Sequence, residues 1–164
     1  MTRIDDMGAV WVLGQLWGAP PDVAGELNDD ENLAYGMSLL HAANGDGEIT
    51  DAERDWILGY LAAAGCSQGT LDALRAYDDS ADFEDLFTAG FRQISQRVTI
   101  CDAIRACGAD GDLSEGELAT VHAMARRIGV SADVVDEFVD IYEQEQALKA
   151  RRIALAFPAG FAVS

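Results

Sequence analysis

The fold of this chain is decided by a stretch that occurs twice: NGDGEITDAE at residues 44–53 and GADGDLSEGE at residues 108–117. A shift of 64 residues, which carries residue 44 onto residue 108, aligns the surrounding sequence without a gap over roughly forty positions. Chance would give about two identities over such a length at ordinary residue frequencies, and the alignment has several times more. The sequence therefore contains an internal repeat, and each unit must bury its apolar face against the other.

Both units are predicted to be helical. The three prolines stand at positions 20, 21 and 158, so residues 22–157 lack the strongest helix breaker. Apolar residues recur at steps of three and four, and runs of strictly alternating β-branched residues are absent. We predict an all-α domain of about seven helices in two pseudo-two-fold related repeats. Caps and glycines place helices at about 29–44, 51–64, 68–77, 81–89, 91–107, 115–128 and 131–157, with a weaker one within 7–17.

The length of 164 residues suits one domain, and a hydrophobic fraction of 49% is typical of a globular chain. We place the duplicated domain at residues 28–150. An apolar N-terminal segment precedes it at 1–27, and an apolar tail follows at 151–164. The formal net charge of −18 argues against binding to nucleic acid and to anionic membrane surfaces.

Localisation is predicted to be cytoplasmic. The apolar run at 7–20 is shorter than the about 20 residues of a membrane-spanning helix, and no positively charged segment precedes it. Stable membrane insertion is therefore not expected. Three cysteines, an odd number at irregular spacing, do not form a disulfide framework and indicate buried thiols in a reducing compartment.

Both repeated stretches resemble the calcium-binding EF-hand loop, which has an acidic first ligand, glycine at position 6 and glutamate at position 12. With the glycine of each Asp-Gly pair at position 6, the twelfth position is Glu53 or Glu117. The first position is then Ala42 or Ala106, which has no side-chain oxygen. Neither loop alone is predicted to bind calcium tightly.

Helix capping alone accounts for much of the repeated stretch. Thr50 with Glu53, and Ser114 with Glu117, form the S/T-x-x-E pattern of a capping box, in which hydroxyl and carboxylate each bind a backbone N–H. Under this interpretation the Asp-Gly loops hold no ligand.

A composite cation site is the second interpretation. If the two units pack about a pseudo-two-fold axis, the loops approach each other and bring together Asp46, Glu53, Asp110 and Glu117. Four carboxylates with waters suit Ca²⁺, Mg²⁺ or Mn²⁺, which prefer hard oxygen ligands. His41, one turn before the first loop, is close enough in sequence to join a metal site at Asp46.

Two helical repeats that each place Asp-Gly-x-[Ile/Leu]-[Ser/Thr]-x-x-Glu at the start of a helix resemble the TerB-like domain, over about residues 28–145. That family includes the tellurite-resistance protein TerB and the N-terminal domain of a membrane-anchored DnaJ-type co-chaperone. The resemblance implies a seven-helix fold, a role in stress response or metal-related processes, and divalent-cation binding by acidic residues. By position, those residues are Asp46, Glu53, Asp110 and Glu117. The apolar N-terminal segment and the tail depart from the family pattern.

The sequence thus predicts a non-catalytic helical module. No Gly-rich phosphate loop, HExxH motif or nucleophile elbow occurs, so we do not expect an enzyme. The alternative to a cation-binding module is a protein-interaction adaptor whose Asp-Gly loops only cap helices. In either case the apolar termini are expected to pack on the chain's own core, or to dock a protein partner or a second copy in a homodimer.

Overall fold

A computed structural model of the chain describes residues 4–18, 28–80, 86 and 96–160. These residues contain no strand, and seven α-helices account for most of them. We number the helices α1 (Ile4–Trp17), α2 (Asp29–Ala43), α3 (Asp51–Ala63), α4 (Gln68–Ala76), α5 (Gln96–Cys107), α6 (Glu115–Arg127) and α7 (Ala132–Ala156). The all-α prediction is confirmed. The helix predicted at 81–89, apart from Leu86, and the start of the one predicted at 91–107 lie outside the described residues.

The internal repeat is visible in the order of the elements. Helices α2 and α5 are each followed by a short 3₁₀ turn, Asn44–Asp46 and Gly108–Asp110. Each turn ends at a glycine in the left-handed region, Gly47 at φ 96° and Gly111 at φ 100°. Glycine adopts this conformation without the steric cost that a Cβ atom would bring. This explains why each loop aspartate is followed by glycine, and the next helix starts at the matched position, as α3 or α6.

The two repeats pack reciprocally, as a pseudo-two-fold relation requires. Helix α2 lies against α5, the first 3₁₀ turn packs against α6, and the second packs against α3. Completely or almost completely buried apolar side chains from both repeats form one core: Leu39, Leu40, Ile57, Ile100, Ile104, Val121 and Met124. This pairing carries each Asp-Gly loop onto the helix that follows the other loop.

Two helices extend the duplicated bundle. Helix α1 packs against α3, and the guanidinium carbon of Arg105 lies 5.1 Å from the centre of the Trp17 ring. Helix α7 follows Ser131, whose side chain makes no capping hydrogen bond, and continues past residue 150 to Ala156. Among the helices described, none combines the length and the apolar character needed to cross a membrane.

Candidate functional site

Glu53 and Glu117 occupy the third position of α3 and α6, and both complete capping boxes. The Thr50 N–H donates to Glu53 Oε2 at 2.6 Å, and the Ser114 N–H donates to Glu117 Oε2 at 2.7 Å. Both predicted capping boxes are therefore present. The two glutamates are nevertheless buried, with exposures of only 2% and 3%. Capping alone does not require burial, because a cap carboxylate works equally well in contact with water.

The carboxyl groups of Glu53 and Glu117 also meet each other, and their side chains are hydrogen-bonded. Burial, followed by the hydrogen bond to Glu53, raises the pKa of Glu117 from 4.5 to about 7. Two carboxylates in contact cannot easily both ionise, so the contact with Glu53 favours the protonated form of Glu117. None of the ion pairs among the described residues involves either glutamate. Within the described residues, the junction of the repeats therefore holds a buried acidic pair that forms no ion pair with a basic side chain.

The two loop aspartates are placed differently. Asp46 and Asp110 are exposed, and each uses Oδ1 within its own loop. Asp46 accepts from the Glu48 N–H at 3.1 Å, and Asp110 accepts from the Asp112 N–H at 2.9 Å. Of the four predicted ligands the structure brings the two glutamates together, while the aspartates remain in their own loops. Within the described part of the chain, no three His, Cys, Asp or Glu side chains converge as a metal-binding group. Cation binding therefore stays a prediction.

A glycine pair brings the first loop close to the start of α6. A Cβ atom on Gly45 would stand 2.5 Å from Glu117 Cα and 2.8 Å from the Gly116 carbonyl oxygen. A Cβ atom on Gly116 would stand 2.7 Å from the Gly45 carbonyl oxygen. Only hydrogen at both positions permits this approach of two backbones. The glycines thereby set the position of Glu117 relative to the first loop.

His41 is not directed at the loop aspartate. Its Nδ1 lies 3.0 Å from Asp79 Oδ1, and the Asn44 side-chain amide donates to Asp79 Oδ2 at 2.9 Å. Asp79 itself has a positive φ of 57°, which is uncommon outside glycine. No local sequence pattern points to Asp79, because nothing relates it to a loop 35 residues earlier.

Two residues around the glutamate pair were also missed. Cys107 is fully buried, and burial together with the charges of Glu117 and Glu53 raises the pKa of its thiol well above the usual value. The Tyr142 hydroxyl donates to the carbonyl oxygen of Gly108, at the start of the second 3₁₀ turn. The repeat alignment pairs neither contact with an equivalent in the first half, so the sequence carried no signal for them.

A cavity of about 660 Å³ opens beside the second loop, between α1, α3 and α7. Trp56 and Tyr60 stack in its wall with ring centres 5.3 Å apart, and Arg105 and Asp110 also line it. Arg105 forms an ion pair with Glu145 at 3.1 Å and lies 3.5 Å from the buried carboxylate of Asp102. The second loop is therefore reachable from solvent on its Asp110 side.

The all-α fold with two capped Asp-Gly loops is the arrangement that the resemblance to the TerB-like domain implies. A crystal structure of a tellurite resistance protein from Nostoc punctiforme is similar to this chain, with a TM-score of 0.78 and 28% sequence identity. The similarity covers 96% of this chain and 97% of that one. The resemblance predicted from the two repeats is therefore confirmed. No model of a known protein family matches the sequence, and no curated protein matches it significantly.

Proposed function

We propose that this chain is a non-catalytic TerB-like module that binds a divalent cation and acts as an accessory protein in tellurite resistance or a related stress response. The description of the similar structure as a tellurite resistance protein supports the biological setting. The observation that carries cation binding is the buried contact between Glu53 and Glu117. Desolvated carboxylates in contact are stabilised by a positive charge between them, which is either a proton or a metal ion.

The donor set fits Mg²⁺ or Mn²⁺ better than Ca²⁺. Each glutamate commits Oε2 to a backbone N–H of its own cap, which leaves the other oxygen for a cation. Mg²⁺ is commonly held through one or two carboxylates and keeps several waters, whereas Ca²⁺ takes six to eight oxygen ligands. Glu53 and Glu117 would bind the cation directly. The exposed Asp46 and Asp110 would add negative potential around it.

Calorimetric titration of chelator-stripped protein tests this proposal. At pH 8 Glu117 is mostly ionised, since its pKa is about 7. We expect binding heat and a higher melting temperature with Mg²⁺ or Mn²⁺, a weaker response to Ca²⁺, and loss of both signals in Glu53→Gln and Glu117→Gln. Glutamine preserves the capping box, so these variants remove charge without removing the cap.

Glu31→Gln is the matched control. Glu31 completes a third capping box at the start of α2, where it accepts from the Asn28 N–H at 2.9 Å. The full length of α2 separates this box from the first Asp-Gly loop. Glu31→Gln should bind the cation as the unmodified chain does. Absence of heat and of any melting shift at millimolar metal, or equal binding by Glu117→Gln, would show that the loops only cap helices.

A further inference from the structure

The second half of α7 presents a line of apolar side chains to solvent. Ile141, Leu148 and Leu155 follow one another at seven-residue steps, so they lie on one side of the helix. Their exposures are 38%, 59% and 77%. We call these three residues the α7 stripe. A single exposed leucine is ordinary, but three in line on one helix form a surface that a partner would cover.

The charges along α7 divide at the middle of the stripe. From Ala132 to Glu145 the helix carries only acidic charges, and from residue 146 to its end at Ala156 it carries only Lys149, Arg151 and Arg152. We call residues 149–152 the basic arm. Such a segment is unusual on a chain with a net charge of −18. Its electrostatic complement is an acidic surface that also presents apolar side chains. The first half of α7 itself meets both requirements.

We propose that two copies of this chain pair through the α7 stripe, with their α7 helices antiparallel about a two-fold axis at Leu148. In this register Leu148 lies opposite the partner's Leu148, and Leu155 lies opposite the partner's Ile141. Arg151 then lies opposite the partner's Glu145. All three stripe residues oppose a stripe residue only in this antiparallel register. Glu145 is 47% exposed in its pair with Arg105, so one side of its carboxylate is open to a second cation.

The charge division selects the antiparallel direction. Parallel helices would set Arg151 and Arg152 against the same residues of the partner, and like charges in contact are unfavourable. Antiparallel helices place each basic arm on the acidic half of the partner and also oppose the two helix dipoles. The same patch then serves both copies, which closes the assembly at two chains. The seam from residue 141 to residue 155 is only about 21 Å long, so we expect a weak, concentration-dependent dimer. Pairing at α7 is independent of cation binding.

Sedimentation over a concentration series tests the pairing. The mass should rise from 17.5 kDa toward twice that value as concentration increases. Leu148→Asp should weaken dimerisation at least about tenfold, because it places two negative charges at the axis. Ala150→Asp is the matched control: it adds the same charge two residues away, at an exposed position off the stripe, and should dimerise like the unmodified chain. Circular dichroism verifies that both variants keep their helices.

Cysteine cross-linking tests the direction. Leu148→Cys should form a disulfide-linked dimer under mild oxidation. Ile141→Cys and Leu155→Cys should not cross-link alone, since equivalent positions lie about 21 Å apart, but should cross-link when the two variants are mixed. The unmodified chain, with its three native cysteines, gives the background. A monomer at every concentration would overturn the proposal and leave the stripe to a different protein. Self-cross-linking of Ile141→Cys would overturn the antiparallel arrangement.

Discussion

The first and second Asp-Gly loops have matching backbones but are held by different neighbours. The first loop touches the start of α6 through two glycines, and its Asn44 donates to Asp79. The equivalent contact joins the second loop to the start of α3. There Ala109 stands at the position that matches Gly45, and Ala52 at the position that matches Gly116. The second loop is instead anchored by α7, through the Tyr142 hydroxyl on the carbonyl of Gly108.

The comparison shows which features of the loops are the same in both repeats and which features differ between them. Both copies keep the left-handed glycine, the capping hydroxyl and the buried glutamate. These features depend on each other within ten residues. The anchors of the loops come from other parts of the chain, and they differ. The shared features therefore define the site at the junction, whereas the anchors determine how firmly each half of it is positioned.

The largest effect is expected at the glycine contact of the first loop. Gly45→Ala would bring a methyl group to 2.5 Å from Glu117 Cα, and the obstructing atoms belong to the backbone rather than to a flexible side chain. Overpacking of this kind should lower the free energy of unfolding by about 3 kcal/mol. Because Glu117 itself is displaced, cation binding should weaken as well. Urea unfolding and the calorimetric titration measure the two effects.

Ala109→Gly is the corresponding change in the second loop. It removes a methyl group where the first loop has none, so it should cost about 0.5–1 kcal/mol, through backbone entropy alone. If Gly45→Ala lowers the free energy of unfolding no more than Ala109→Gly does, both loops tolerate a methyl group equally well at this position. The pair Gly45 and Gly116 would then not position the site.

Much of this molecule could be predicted because its determinants are local or repeated. The capping boxes lie within four residues, and apolar spacing, caps and glycines predict helices α2 to α7, with small boundary shifts at the ends that the structure describes. The approach of the two loops followed from the duplication, since two copies of one amphipathic unit bury the same face.

The anchors could not be predicted, for the opposite reason. Asp79 reaches His41 across 38 residues, and Tyr142 reaches Gly108 across 34, with no pattern that links either pair. The burial of Glu53 and Glu117 could not be predicted from the sequence either. The sequence pattern of a capping box is the same whether its glutamate contacts water or a second carboxylate. The capping box of Asn28 and Glu31 has this pattern, yet its hydrogen bonds are exposed.

The glutamate pair makes stability depend on pH. The pKa of Glu117 is about 7 in the folded chain and near 4.5 when unfolded, so the folded state holds the extra proton between these values. The free energy of unfolding should therefore fall as pH rises from about 4.5 to 7, by about 2 kcal/mol from this group. Glu117→Gln should remove that part of the slope, as measured by urea unfolding at several pH values.

Glu53→Gln should flatten the curve in part, because it removes the carboxylate whose contact with Glu117 helps to raise the pKa of Glu117. Glu31→Gln should leave the slope unchanged, since its carboxylate does not meet a second glutamate at the junction. A slope that survives in Glu117→Gln would mean that the general repulsion of an acidic chain, rather than this contact, sets the pH dependence.

The smallest effect concerns the two capping hydroxyls. The Thr50 hydroxyl accepts from the Glu53 N–H at 3.3 Å and also donates to Glu53 Oε2 at 2.8 Å. The Ser114 hydroxyl accepts from the Glu117 N–H at 3.2 Å, and the Ser114 side chain is also hydrogen-bonded to the Glu117 carboxyl group, which lowers the pKa of that group. Thr50→Ala and Ser114→Ala should therefore each cost about 1 kcal/mol in unfolding experiments. Thr50→Ser keeps the hydroxyl and should recover most of the loss. Clearly unequal losses in the two alanine variants would show that the two caps differ in energy although they match in sequence and in hydrogen bonds.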